Sequence, residues 1–126
     1  MRVKFVFPGK GFTIKGRLKD NNTGRTLFSA LPLKSRGERW GKEFYFSVPV
    51  EVEPEDQKSE VEKGEIGFWI PGSAICLFFG PTPISQGDKI VPASPVNSVG
   101  FLEGDIELMD KLEDGDEVVV EKDEGD

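Results

Sequence analysis

Apolar positions in this chain recur mostly at every second residue. Over residues 2–7, Val3, Phe5 and Phe7 alternate with Arg2, Lys4 and Val6; over residues 12–18, Phe12, Ile14, Gly16 and Leu18 alternate with Thr13, Lys15 and Arg17. Successive strand side chains point to opposite faces, so both runs predict strands with one buried face. Pro8, Gly9, Lys10 and Gly11 lie between them and predict a turn, hence a hairpin. Residues 43–52, EFYFSVPVEV, put Phe44, Phe46, Val48, Val50 and Val52 on one face and Glu43, Tyr45, Ser47 and Glu51 on the other. Pro49 cannot donate to a ladder and marks an edge or a bulge. In residues 66–71, Ile66, Phe68 and Ile70 alternate with Gly67, Trp69 and Pro71, and AICLFF at 74–79 has the apolar run of a buried strand. Residues 96–102 and 117–122 complete the predicted strands.

Two segments change period. DNNTG offers a helix start, followed by Leu27, Phe28, Ala30 and Leu31 at helical spacing and by Pro32 near the stop. Gly104-Asp105 opens a second helix, with Asp105 as N-cap, Ile106, Met109 and Leu112 on one face and Gly115 as C-cap. Residues 53–65, EPEDQKSEVEKGE, are charged and predict a solvated connection ending in a turn at Gly64. About eight strands and two short helices result, with no repeating unit. This pattern fits a closed β-barrel or a sandwich with helices over its ends.

A length of 126 residues suits one hydrophobic core, so residues 1–122 are expected to form one domain, followed by an acidic frayed tail at 123–126. Between Glu65 and Asp88 no residue is charged, but Pro71, Gly72, Gly80, Pro81 and Pro83 cut that stretch into pieces of strand length, and no membrane span is expected. The N-terminus carries no apolar core with a small-residue cleavage site, which predicts a cytoplasmic protein. The single cysteine, Cys76, permits no internal disulfide and reads as a small buried hydrophobe.

Charge is unevenly placed. Residues 1–46 hold eleven Lys and Arg against three Asp and Glu, whereas residues 103–126 hold twelve acids against two lysines. Such a split predicts that the first and last strands are neighbours with complementary outward side chains. The net charge of -7 argues against a nucleic-acid partner. The chain contains no histidine, which excludes Ser-His-Asp and Cys-His nucleophiles and, with one cysteine, leaves zinc and most transition metals without ligands. Neither a metal nor a cofactor is expected. Carboxylate, Tyr, Lys, Arg and Ser chemistry remains, or catalysis without proton transfer.

Several phrases carry a family likeness. LFSAL at 27–31 resembles the F-R-A-L turn of the first cyclophilin helix, and Leu77-Phe78-Phe79 resembles the S-Q-F-F-I strand. SVGFLEGDIELM at 98–109 resembles the cyclophilin pattern V-F-G-x-V-x-x-G-M-x-x-V. With WGKEFYF, GEIGFWIPG, ICLFFGPTP and PASPVNSVG, the chain resembles, over nearly its whole length, a family of small prokaryotic cyclophilin-like proteins of unsettled function. The resemblance implies a closed cyclophilin-like barrel of about eight strands with two short helices.

It also implies a place for function. Cyclophilins isomerise X-Pro bonds, holding the proline ring in an apolar pocket while an arginine donates to the prolyl nitrogen. Here EFYFSV, which corresponds to the arginine-bearing F-H-R strand, holds no arginine, and Cys76-Leu77 stands where the S-Q pair would be. Side chains inside such a barrel form its core and ligands sit on the outer face, so parity places Glu43, Tyr45 and Trp69 outward, and the resemblance adds Phe79. These four are the candidate ligand-binding residues; no catalytic residue is assigned. The same rings equally suit plugs that cover the barrel's outside, and Asn97 suits a turn or bulge contact as well as a ligand. The expected function is a binding module for a small molecule or proline-containing peptide. An isomerase using Arg36 or Arg39, or an interaction module using the acidic C-terminal region or the charged loop against a basic partner, are the alternatives.

Overall fold

The computed structural model describes residues 1–124. Nine strands and one α-helix follow in chain order: β1 (Arg2–Phe7), β2 (Phe12–Leu18), α1 (Asn22–Ala30), β3 (Leu33–Arg39), β4 (Glu43–Ser47), β5 (Gln57–Lys58), β6 (Glu65–Trp69), β7 (Ala74–Phe78), β8 (Val96–Glu103) and β9 (Glu117–Lys122). A single 3₁₀ turn (Ile70–Gly72) joins β6 to β7, and a longer 3₁₀ helix (Ile106–Lys111) precedes β9. Strands pair in the order β2-β1-β9-β3-β4-β7-β6-β8, and β2 pairs with β8 to close the ring. The result is a closed antiparallel barrel of eight strands, with the two-residue β5 attached to β8 as an extra strand. Closure leaves the barrel strands without free edges, so every ladder has a partner.

The inward residues are those the alternation selects. Val3, Phe5, Phe7, Ile14, Phe44, Phe46, Ile66, Phe68, Ile75 and Leu77 belong to one buried cluster. Rings meet there edge-on, Phe5 against Phe46 at 6.5 Å and Phe7 against Phe44 at 5.8 Å between centroids, the arrangement the ring quadrupole favours. The expected hairpin β1–β2 forms, with Phe7 opposite Phe12. β1 also pairs with β9, and basic residues of the first third meet acids of the last: Lys4 with Glu121 at 3.7 Å, Lys34 with Glu117 at 2.8 Å, and Lys10 with Glu113 at 2.8 Å. Among the described residues no helix is long and apolar enough to cross a membrane.

Four local features depart from the periodicity. β3 was not legible as a strand, because LKSRGER offers only Leu33 as an apolar side chain. Its sole buried position is Gly37, where the Phe44 ring lies so close that an added Cβ would fall 2.5 Å from it. β4 ends at Ser47 rather than continuing to residue 52: Val48 donates to Ser73 and Val50 to the Val48 carbonyl, a tight turn centred on Pro49. The second helix is 3₁₀, which suits the three-residue spacing of Ile106, Met109 and Leu112. Asp105 makes no side-chain cap there and Leu112, not Gly115, is the C-cap.

The charged connection is not simply a solvated loop. The Glu55 carboxylate accepts from the Asn22 and Thr23 amides and the Thr23 hydroxyl, at the N-terminus of α1, and these bonds hold its carboxyl below the usual range. Asn97 is fully buried; it accepts from the Glu55 amide and donates to Thr23 and to the Glu53 carbonyl, so it pins this connection to the barrel. At the C-terminus the Asp123 amide donates to Arg2, and its carboxylate lies 3.5 Å from Lys15. Gly125 and Asp126, the rest of the expected tail, lie outside the described residues.

Candidate functional site

Outside the barrel wall, β4, β7 and β6 present a second, smaller set of side chains. Register places Tyr45 opposite Cys76 and Cys76 opposite Gly67, with Glu43 opposite Phe78 and Trp69 opposite Ala74. Cys76, Phe78 and Val96 form a buried patch there with Val61 and Ile90, and Tyr45 and Trp69 pack against it. The chain after β7 folds back over this patch. The Ser85 hydroxyl accepts from the Thr82 and Val91 amides, and Val61 bridges Ile90, which together hold the segment leading to Pro92 and Ala93.

These elements enclose a pocket of about 290 Å³. Trp40, Tyr45 and Trp69 contribute rings, Glu43 and Cys76 lie between them, and Pro92, Ala93 and Val96 complete the lining. The chain has two tryptophans and one tyrosine, and all three line this pocket. Trp40 arrives through a tight turn in which its amide donates to the Glu43 carbonyl at 2.9 Å and the Glu43 amide returns at 3.2 Å. Gly41, at φ +61°, makes that turn. It lies so close under the loop that an added Cβ would fall 2.8 Å from Pro83. Trp40 escaped the sequence reading because β3 went unrecognised, and with it the hairpin whose turn presents the ring. The W-G-K-E phrase is the signal that could have found it.

Glu43 is the unusual member. It is 5% exposed, and among the described residues its Oε1 has no hydrogen-bond partner. Burial pushes its carboxyl up to about 7, with a hydrogen bond from the neighbouring Cys76 thiol acting the other way. The single thiol proton has two acceptors in reach, the Ala74 carbonyl at 3.8 Å and Glu43 itself. Burial, then the nearby carboxylate, push the thiol well above its ordinary range, so Cys76 is poorly suited to act as a nucleophile.

The polar ends of two rings are engaged away from Glu43. The Tyr45 hydroxyl donates to Glu38 at 3.1 Å and Trp69 Nε1 donates to Ser94 at 2.6 Å. Burial, then the Glu38 hydrogen bond, raise the phenol further above its ordinary value.

Three of the four candidate residues therefore come together: Glu43, Tyr45 and Trp69. Phe79 does not join them. It continues the inward parity of Ile75 and Leu77, is 3% exposed within the main core, and carries the Arg39 guanidinium 4.9 Å above its ring. Arg39 also donates to the carbonyls of Gly41, Asp110 and Leu112, and Arg36 to that of Gly115. Neither arginine lines the pocket. Among the described residues no group of three or more Cys, Asp or Glu side chains could hold a metal ion.

The fold and the pocket define a class, a small closed antiparallel β-barrel with an aromatic-lined pocket on its outer wall. The chain belongs to the Cyclophilin-like family, whose model matches residues 1–121. It is similar to the hypothetical protein AF2241 from Archaeoglobus fulgidus, solved in solution, at 43% identity over 98% of this chain and 95% of that one, with a TM-score of 0.81. It shares its fold with McbB, solved in complex with tryptophan, at 15% identity and a TM-score of 0.72; 98% of this chain is covered but only 45% of McbB. No curated protein matches the chain.

Proposed function

We propose that this protein is a cytoplasmic binding module that holds a small molecule, or one side chain of a peptide, in the outer pocket bounded by Trp40, Glu43, Tyr45 and Trp69. The observation that carries this reading is the gathering of both tryptophans and the only tyrosine around one buried carboxyl. Amphipathic rings that served only as plugs have no reason to leave an unsatisfied acceptor among them, since buried polar atoms are normally paired. At about 290 Å³ the pocket lies at the small end of ligand sites, roughly 300–1,000 Å³.

Binding is preferred to X-Pro isomerisation because the arginines nearest in sequence are engaged with backbone carbonyls and the Phe79 ring. It is preferred to an acidic docking surface because many of the C-terminal acids already face lysines of the barrel.

Tryptophan fluorescence and thermal unfolding, followed across a panel of small amines, small acids, tryptophan and proline-containing peptides, test the proposal. A ligand near 100 times its Kd stabilises the fold by about 2.7 kcal/mol and so raises the melting temperature. The Trp69→Leu variant should lose that rise. If no compound shifts either signal, while peptidyl-prolyl isomerase activity is present and is lost in Arg39→Ala, the proposal is replaced by catalysis.

A further inference from the structure

We infer that the outer pocket takes a small organic cation, an alkylated ammonium head group, seated against the Glu43 carboxylate among the rings of Trp40, Tyr45 and Trp69. This rests on the reading that the pocket binds a ligand, and it names the ligand's chemistry.

The lining selects for positive charge in three ways. First, Glu43 presents an acceptor oxygen that lacks a partner among the described residues, while 95% of the residue's surface is withdrawn from water (5% exposed). A buried acceptor in that state is completed by a ligand that donates or carries positive charge, and an anion would meet repulsion. Second, three aromatic residues share the pocket, and Tyr45 and Trp69 send their polar hydrogens to Glu38 and Ser94. What these two side chains offer the pocket is ring carbon, and a ring face turned to a cation attracts it, most strongly one that sheds water easily, such as a methylated ammonium group. Third, the protein supplies no cation of its own. Among the described residues no lysine or arginine lines the pocket, and the nearest in sequence, Lys42, reaches Asp110 at 3.4 Å instead. The net charge of -7 adds a field that draws cations in. A volume of about 290 Å³ admits a head group with a short tail and not a folded peptide.

Ionisation gives the inference a measurable signature. A carboxyl at about 7 is largely protonated at pH 6 and largely ionised at pH 8, and only the ionised form pairs with an ammonium. Affinity for the cation should therefore rise about tenfold from pH 6 to pH 8, as linkage requires. The other titratable groups around Glu43 are Cys76 on β7 and Tyr45 on β4, both pushed upward and away from that window. Glu38 on β3 and Asp114 act on the Tyr45 hydroxyl, and the covering Pro92 and Ala93 carry no titratable group.

Calorimetry and tryptophan quenching on the full chain would compare choline, tetramethylammonium and 3,3-dimethylbutan-1-ol, the neutral carbon isostere of choline. Both tryptophans border the pocket, so quenching reports its occupancy. Choline should bind at least tenfold more tightly than the isostere at pH 8, with the tenfold rise over pH 6. Glu43→Gln, which keeps the side-chain shape, should cost choline at least tenfold and leave the isostere within twofold. Trimethyl-lysine, free and within a short peptide, separates the sources: equal affinity marks a free small molecule, and tighter peptide binding marks a partner's modified lysine.

If the neutral isostere or tryptophan binds as well as choline, or choline affinity is flat with pH, the cation inference fails while the pocket remains a binding site. If a small acid or proline-containing peptide binds and no ammonium compound does, the cation inference fails alone; if no compound of that wider panel binds either, the cation inference and the binding reading fall together.

Discussion

Among the described residues two carboxylates are buried, Glu65 and Glu43, and they are buried differently. Glu65, at the start of β6, is fully inaccessible and fully engaged. Lys58 lies 3.0 Å from it, the Glu62 amide donates to it at 2.9 Å, and the Ser98 hydroxyl donates to it as well. Ser98 in turn accepts from Lys19 at 2.7 Å, and Lys19 reaches Asp56 at 3.3 Å, so the charge ends in a network open to water. The pairing with Glu65 raises the Lys58 ammonium above its ordinary value. Glu43, one strand away across β7, has burial without the network, and its carboxyl is driven up to about 7. The difference is one of compensation: Glu65 has partners for its charge, whereas the ionised form of Glu43 is disfavoured by burial, the feature on which the proposed site rests.

Three measurements sharpen or break this contrast. The largest effect is expected at Glu65: replacing it by Ala strands the buried Ser98 hydroxyl and the Glu62 amide and opens a cavity, and should cost about 3–5 kcal/mol in urea unfolding at pH 7. A loss under about 1 kcal/mol would show the network to be ornamental.

Next comes Glu43→Gln, with the opposite sign. Because the folded carboxyl stands at about 7 against an ordinary 4.5, its favourable contribution is fully present below pH 4.5 and is lost as pH rises through 7. Over that window the native protein should lose about 3 kcal/mol through this one group. Glutamine does not ionise, so the variant should be more stable than the native protein by up to about 3 kcal/mol at pH 8, the gap closing towards pH 5. Parallel pH profiles for the two proteins would remove Glu43 from its special place.

The smallest effect belongs to the rim. Tyr45→Phe deletes only the partly exposed hydrogen bond to Glu38 and should change stability by less than about 1 kcal/mol. It should leave ligand affinity within twofold, since the ring remains. A large loss of affinity would mean that the hydroxyl itself meets the ligand.

How much of this was legible varies with the range of the interaction. The hairpin, the inward faces of β1, β2 and β4, and the pairing of the basic first strand with the acidic last strand follow from alternation and charge placement. β3 was hidden because its one buried position is a glycine shaped to receive the Phe44 ring, a contact made by another strand. Parity likewise put Glu43, Tyr45 and Trp69 on one outer wall, but it carries no information on what covers that wall. Phe79 obeyed parity rather than the likeness of its phrase and turned into the core.

Local pattern by itself determined most of the strands, their faces and the absence of histidine chemistry, because steric periodicity and residue type act within a few positions along the chain. Tertiary structure decided that the outer wall would have a roof. The segment through Ser85, Ile90 and Pro92 closes over Cys76 and Val96, the turn at Gly41 brings in Trp40, and water is driven from Glu43. A carboxyl's ionisation depends on how much water surrounds it, and that is set by residues forty and fifty positions away, which no period along the chain can express.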